Sequence, residues 1–117
     1  MIAGLGGEAE HVEHQPDLWL LAPATYSTLN KVAVGIADNA VTTSLASALG
    51  RLEAGGAPVL VAPTMHGSMW NAILRGSLAR LVDLGVRVVP PVGREGKATL
   101  PTDEVLVAAV VEALALA

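Results

Sequence analysis

The sequence predicts an α/β fold, a parallel sheet with helices packed on its faces. Three short apolar runs carry that reading, at residues 17–22, 58–62 and 86–89. Each is rich in Val or Leu and is followed by proline, and runs of this length suit strands buried on both faces. Between and after them lie stretches with apolar residues at helical spacing. Strand–helix–strand alternation implies right-handed crossovers.

Each element has its own signal. Residues 1–10 are Gly-rich and aperiodic, and read as a loop or a short helical turn. Residues 17–22 form the first strand, apolar after Asp17. Residues 28–37 carry Leu29, Val32, Ala33 and Ile36 at helical spacing, with Thr28 as the expected N-cap. Asn39 caps a second helix running to about Glu53 and ended by Gly55 and Gly56. The second strand is 58–62. Residues 70–84 place Ile73, Leu74, Leu78, Leu81 and Val82 on one side of a helix that stops before Gly85. The third strand, 86–89, is apolar apart from Arg87. Thr102, Asp103 and Glu104 open a last helix, since acidic groups favour a helix N-terminus. Its body, 105–117, is interrupted by Glu112 and reads as amphipathic.

Composition sets limits. A chain of 117 residues predicts one domain, spanning 1–117. Apolar residues make up 52% and charged residues 15%, which is too apolar for disorder and implies apolar surface covered by another subunit. The net charge of −4, with basic residues scattered singly, gives no nucleic-acid footprint. No apolar run is long enough to span a membrane, and no signal-peptide pattern opens the chain. The expectation is a cytoplasmic protein with neither nucleic acid nor membrane as partner. There is no cysteine, which excludes disulfides, thiolate metal sites and a thiol nucleophile.

Residues 63–70, Pro-Thr-Met-His-Gly-Ser-Met-Trp, follow the second strand directly. Met65, Met69 and Trp70 crowd into six positions of a chain with three Met and two Trp in total. Large, adaptable apolar side chains after a strand suit a flap over a flat ligand. They equally suit a helix start that drops them into the core. Residues 22–39 hold a second such segment, with Pro23, Ala24, Thr25, Tyr26, Ser27 and Thr28 at the carboxyl end of the first strand. Ligands of open α/β sheets bind at that edge. Free N–H groups and the hydroxyls of Thr25, Ser27 and Thr28 could bind a phosphate or the polar rim of a ring. A turn serving only its helix is the plain alternative. His11 and His14, beside Glu10 and Glu13, offer a short metal-like pattern. No third ligand lies nearby, and a solvated polar turn is the commoner outcome.

Taken together, 23–28 and 63–70 resemble two motifs of the flavin-dependent cysteine decarboxylases, P-A-S-A-N-T and P-x-M-N-x-x-M-W. This family includes phosphopantothenoylcysteine decarboxylase. The similarity runs from about His11 to the end of the chain. It implies a Rossmann/flavodoxin-like parallel sheet with flanking helices, and FMN as cofactor. Five or six strands and an early phosphate loop belong to such a fold. The chain therefore reads as the C-terminal portion of the family domain, lacking the N-terminal phosphate-loop half. The resemblance makes His11, in His11-Val12-Glu13, the catalytic histidine, and Pro23 to Thr28 the cofactor contact. It makes Met65, His66, Met69 and Trp70 the substrate flap.

Three departures matter. Ser27 stands where the family has an asparagine that holds the substrate carboxylate. His66 replaces the asparagine of P-x-M-N-x-x-M-W. The late Gly-rich segment, here Gly93 to Lys97, lacks the cysteine that donates a proton in enzymes returning a saturated thiol. The resemblance thus implies oxidative decarboxylation of a cysteine-bearing substrate, a small thiol or a peptide ending in cysteine. It also implies a trimer-based homo-oligomer, or a heteromer with a chain carrying the other half. A non-catalytic or regulatory subunit completing a partner is the second reading. A flavin prenyltransferase-like enzyme, to which 28–39 bear some likeness, is the third.

Overall fold

A computed structural model of the chain describes residues 16–116. Its main sheet has three parallel strands in the order β1 (Trp19–Ala24), β2 (Val59–Pro63) and β4 (Arg87–Val88). Trp19, Leu20 and Leu21 pair with Val59, Leu60 and Val61, and an irregularity follows before Ala24 meets Pro63. Leu60 and Val61 pair with Arg87 and Val88. β2 is central and buried along its whole length, which is why its sequence is a continuous apolar run rather than an alternating one.

Both faces of β2 are covered, by different helices. Val59 and Val61 join the larger core with Leu29, Leu45, Ala48, Leu74, Leu78 and Leu81. These come from α1 (Tyr26–Ala33), α2 (Ala40–Glu53) and α3 (Ala72–Asp83). Leu60 and Ala62 face the other way, to Val89 and to Ala113 of α4 (Asp103–Leu116). This two-sided arrangement is the α/β architecture that the apolar runs imply.

The helix ends show the local chemistry. Asn39 closes a capping box with Thr42, as expected from its place. Thr28 is not the cap of α1; Thr25 is, accepting a hydrogen bond from the Thr28 N–H. α1 also stops at Ala33 instead of Ala37. Gly35 adopts φ +84°, so its N–H reaches Val32 O while the Ile36 N–H reaches Lys31 O. That is a Schellman ending, and it turns Ile36 out of the helix that its spacing implied. Beyond it, Lys31 hydrogen-bonds Asp38 at 2.9 Å and holds that carboxyl below its ordinary range. A depressed carboxyl stabilises the fold above its unfolded-state pKa, and the effect is lost as pH falls through the folded value. This pair is exposed, so the effect is small.

α3 begins at Ala72, capped by Asn71. Its buried stripe is Leu74, Ser77, Leu78 and Leu81, at i, i+3, i+4 and i+7. Ile73 and Val82, expected on that side, are 66% and 51% exposed. α4 departs further. It is apolar all round and not amphipathic, with Val105, Val107, Val111 and Leu114 exposed. One turn of Glu112 does not make a polar face. Among the described residues, no helix is long and apolar enough to cross a membrane.

Gly76 lies inside α3 with open space where a Cβ would point. Gly76→Ala is expected to stabilise the fold by about 0.5–1 kcal/mol, because alanine loses less backbone freedom in a helix. Urea unfolding midpoints with an unchanged m value would check this.

Three more strands were not legible in the sequence. β3 (Met65–His66), β5 (Val92–Arg94) and β6 (Lys97–Thr99) form a small antiparallel sheet in the order β3-β6-β5. It sits where the chain leaves β2 and β4, at the carboxyl edge of the main sheet.

Candidate functional site

Two loops meet at the carboxyl edge. The first follows β1. Ala24, wholly buried, accepts a hydrogen bond from the Thr64 N–H at 3.0 Å, which ties the end of β1 to the exit of β2. Thr25 then caps α1, and its hydroxyl lies 3.0 Å from that of Thr28. Both hydroxyls are therefore engaged within the turn. Capping leaves the Tyr26 and Ser27 N–H groups without an acceptor in their own helix, and Ser27 is exposed. Pro23 is exposed and Tyr26 half-buried, the Tyr26 hydroxyl accepting from Asn71 Nδ2 at 3.4 Å. That bond reaches across to the helix leaving the second loop.

The second loop follows β2 and divides its large side chains. Met65 is buried in the main core, as the packing alternative anticipated. Met69 is 44% exposed, as a flap would require. Trp70 lies between, half-buried against the core. It ends a 3₁₀ turn, Gly67–Met69, and precedes α3 rather than starting it. His66 is exposed, with Nδ1 accepting from the Ser68 N–H at 3.2 Å and lying 2.9 Å from Ser68 Oγ. An acceptor Nδ1 places the proton of the neutral ring on Nε2, so the free edge of the ring is a donor.

The hairpin β5–β6 borders this loop. Glu95 and Gly96 have φ of +52° and +74°, the two positive values of a type I′ turn. Arg94 pairs with Lys97 across it. Met65 and His66 pair with Ala98 and Lys97, and the Gly67 N–H donates to Gly96 O at 2.7 Å. An open cavity lies between Trp70 and the hairpin, with Gly67, Pro91, Gly93, Arg94 and Lys97 in its wall. Gly93 to Lys97, singled out for glycine and the missing cysteine, is thus this hairpin's tip. The signal that could have revealed it is Glu-Gly between short β-forming stretches.

The structure brings together Pro23 to Thr28 and Met65 to Trp70. His11 lies outside the described residues, as does His14. Among the described residues, no group of three or more His, Asp or Glu is placed to hold a metal.

Comparisons with known proteins agree with this geometry. The chain matches the family model described as Flavoprotein over residues 5–115. It is 34% identical to the coenzyme A biosynthesis bifunctional protein CoaBC of Thermococcus kodakarensis, over 97% of this chain and 29% of the relative. It is 32% identical to a phosphopantothenoylcysteine decarboxylase of Arabidopsis thaliana, over 75% of this chain and 41% of the relative. The chain therefore spans well under half of these relatives. Among solved structures, peptidyl-cysteine decarboxylase EpiD superposes with TM-score 0.72 at 28% identity, covering 92% of this chain and 61% of EpiD. A PPC decarboxylase mutant complexed with pantothenoylaminoethenethiol gives TM-score 0.76 at 24% identity, covering 88% and 58%. That last likeness speaks for the fold.

Proposed function

The chain belongs to the Flavoprotein family, and from that premise we propose that it binds FMN and oxidatively decarboxylates a cysteine-bearing substrate. The observation that carries the reading is the meeting of the two motif loops, through Thr64 N–H to Ala24 O and Asn71 to Tyr26. It puts donors and an apolar wall on one sheet edge.

The residues present fit the ring side of a flavin. The Tyr26 and Ser27 N–H groups supply donors for its polar rim, and Met69 and Trp70 supply a broad apolar surface. A cradle for its phosphate is not among the described residues. FMN, when bound, would accept the two electrons released as the substrate loses carbon dioxide and its thiol-bearing carbon is oxidised, leaving an ene-thiol. His11 moves a proton or steers the carboxylate, a task suited to imidazole near neutrality. Ser27 donates to the carboxylate through a shorter reach than asparagine. Met69 and Trp70 exclude water, and His66 Nε2–H donates to the substrate arm. With no cysteine to return a proton, the ene-thiol is the expected product.

We assign the protein to the cytoplasm, in a trimer-based assembly or with a chain supplying further strands. The exposed apolar face of α4 supports subunit contact.

The test is product mass. The protein, produced with its natural partners and loaded with FMN, is given a cysteine-terminated peptide and, separately, phosphopantothenoylcysteine. A product lighter by carbon dioxide and two hydrogens is expected from one of them. Loss of that product in His11→Ala, with flavin retained, would place His11 in the chemistry. The substitutions at Ser27 and His66 favour a second reading, a non-catalytic subunit completing a partner. Unchanged activity of the assembled complex in His11→Ala would support it.

A further inference from the structure

We propose that His66 is a pH-sensitive latch for the loop after β2, closed while its imidazole is neutral and released when the ring takes a second proton. Such a latch acts on the loop itself, whether or not the site decarboxylates a cysteine.

The latch is a cap. His66 precedes the 3₁₀ turn Gly67–Met69, and its Nδ1 accepts a hydrogen bond from the Ser68 N–H at 3.2 Å. Accepting from a backbone N–H two residues on is ordinarily the work of Asn, Asp, Ser or Thr. Those side chains do not titrate near neutrality. Imidazole titrates between about pH 5 and 8, and both nitrogens of the imidazolium are donors. A second proton therefore removes the acceptor. The Ser68 hydroxyl, 2.9 Å from Nδ1, can turn and accept from the charged ring. The Ser68 N–H is fixed by the backbone and cannot turn.

The other fastenings of the loop do not titrate in this range. The Gly67 N–H donates to Gly96 O at 2.7 Å, and the Trp70 N–H closes the turn on Gly67 O at 3.1 Å. Beyond the turn, Arg75 Nη1 donates to Trp70 O at 3.2 Å, and Asn71 caps α3. Among the described residues, His66 is the only histidine. Release thus begins at the leading end of the loop, with Arg75 and Asn71 holding its far end. Met69 and Trp70, the exposed and half-buried parts of the apolar wall, lie between.

Neighbouring charges set the pH of the change and not its direction. Lys97 of β6 lies directly opposite His66, and Arg94 of β5 directly opposite Lys97. Both cations resist a second proton on the ring. Glu95, at the hairpin tip, shares a cavity wall with them and favours that proton. None of the three can return an acceptor to Nδ1, and the same holds for any charge brought near the ring from elsewhere. A charged ring opposite Lys97 also weakens the pairing of β3, which is only two residues long. Loss of the cap and strain on the strand therefore act in the same sense.

The test follows the isotopically labelled full chain by NMR between about pH 5 and 8, and reads neither flavin nor turnover. Ring nitrogen shifts should place the proton of the neutral His66 ring on Nε2. As the ring titrates, amide protection at Ser68 should fall about fivefold, the loss of one cap. The Trp70 indole resonance should move with the same midpoint, and that of Trp19 should stay. His66→Asn supplies a cap that does not titrate, and should keep Ser68 protected across the range. His66→Ala should leave Ser68 unprotected throughout. Folding of each variant is checked by its amide spectrum. A neutral ring protonated on Nδ1, Ser68 protection that ignores the ring's titration, or a pH dependence that persists in His66→Asn would overturn the proposal. A latch that titrates as described in a protein that fails to bind FMN would count against the decarboxylase reading alone.

Discussion

Leu74→Ala is expected to destabilise the fold by about 2–5 kcal/mol, the range for emptying a fully buried leucine site. Leu74 is wholly buried and packs with residues from the sheet and the other helices of the larger core. Its position gives it a second role. The Leu74 N–H donates to the Asn71 cap at 3.1 Å, so the first turn of α3 is fixed at its buried side and at its cap. Trp70 enters the site immediately before. Losing the leucine therefore loosens the exit of the flap as well as the core. Denaturant unfolding should show a lower midpoint at similar slope. Leu74→Met, which conserves volume, should cost under about 1.5 kcal/mol. The neighbouring Ile73→Ala should stay within about 0.5 kcal/mol, as expected for an exposed position. Equal costs at positions 73 and 74 would mean that the buried stripe of α3 is misplaced.

Gly67→Ala is expected to uncouple the flap from the hairpin. A Cβ at residue 67 would collide with Gly96 O, and this contact is with backbone, which cannot rotate away. The Gly67 N–H to Gly96 O bond of 2.7 Å must lengthen or break. Forced shifts of this kind cost about 1–3 kcal/mol. Because the bond joins the turn after His66 to the tip carrying Arg94 and Lys97, the loss falls on the site more than on the core. Hydrogen exchange at the Gly67 amide should accelerate, while exchange in β2 stays close to that of the wild type. Under the proposed function, substrate would bind more weakly with flavin binding retained. Unchanged protection at Gly67 would show that the two loops are not fastened here.

The main sheet was legible because β2 is buried on both faces. Such a strand must be apolar at every position, and the run 58–62 could hardly serve elsewhere. The two motif loops were legible because they follow strands directly, and the carboxyl edge of a parallel sheet is a fixed place. The family resemblance was read from the same stretches, while the match to the family model spans residues 5–115. Other features depended on information that periodicity does not carry. Ile36 keeps helical spacing after Leu29 and Val32, but a single left-handed residue, Gly35, ends α1 before it. Ile73 and Val82 look like core residues because apolar identity alone does not say which side of α3 meets the sheet. The small antiparallel sheet was missed because β3 is two residues long and its partner, β6, lies some thirty residues further on. Its pairing depends on β2 and β4 delivering both segments to one edge. The division of Met65 from Met69 follows from that pairing, since Met65 is held in a strand and Met69 in the turn after it. The roles given to His11, Ser27 and His66 come from the resemblance; Ser27 and His66 are exposed on the two loops that meet at the carboxyl edge, and His11 lies outside the described residues.

The central claim, an FMN-binding decarboxylase site on this sheet edge, is tested most directly by an absorption spectrum. The protein is purified alone and co-produced with the product of its neighbouring gene, and any released chromophore is identified by mass. The account predicts flavin absorption bands and the release of FMN from the assembled protein. A colourless assembly that also fails to take up added FMN would contradict it, and would leave the non-catalytic subunit as the reading of this chain.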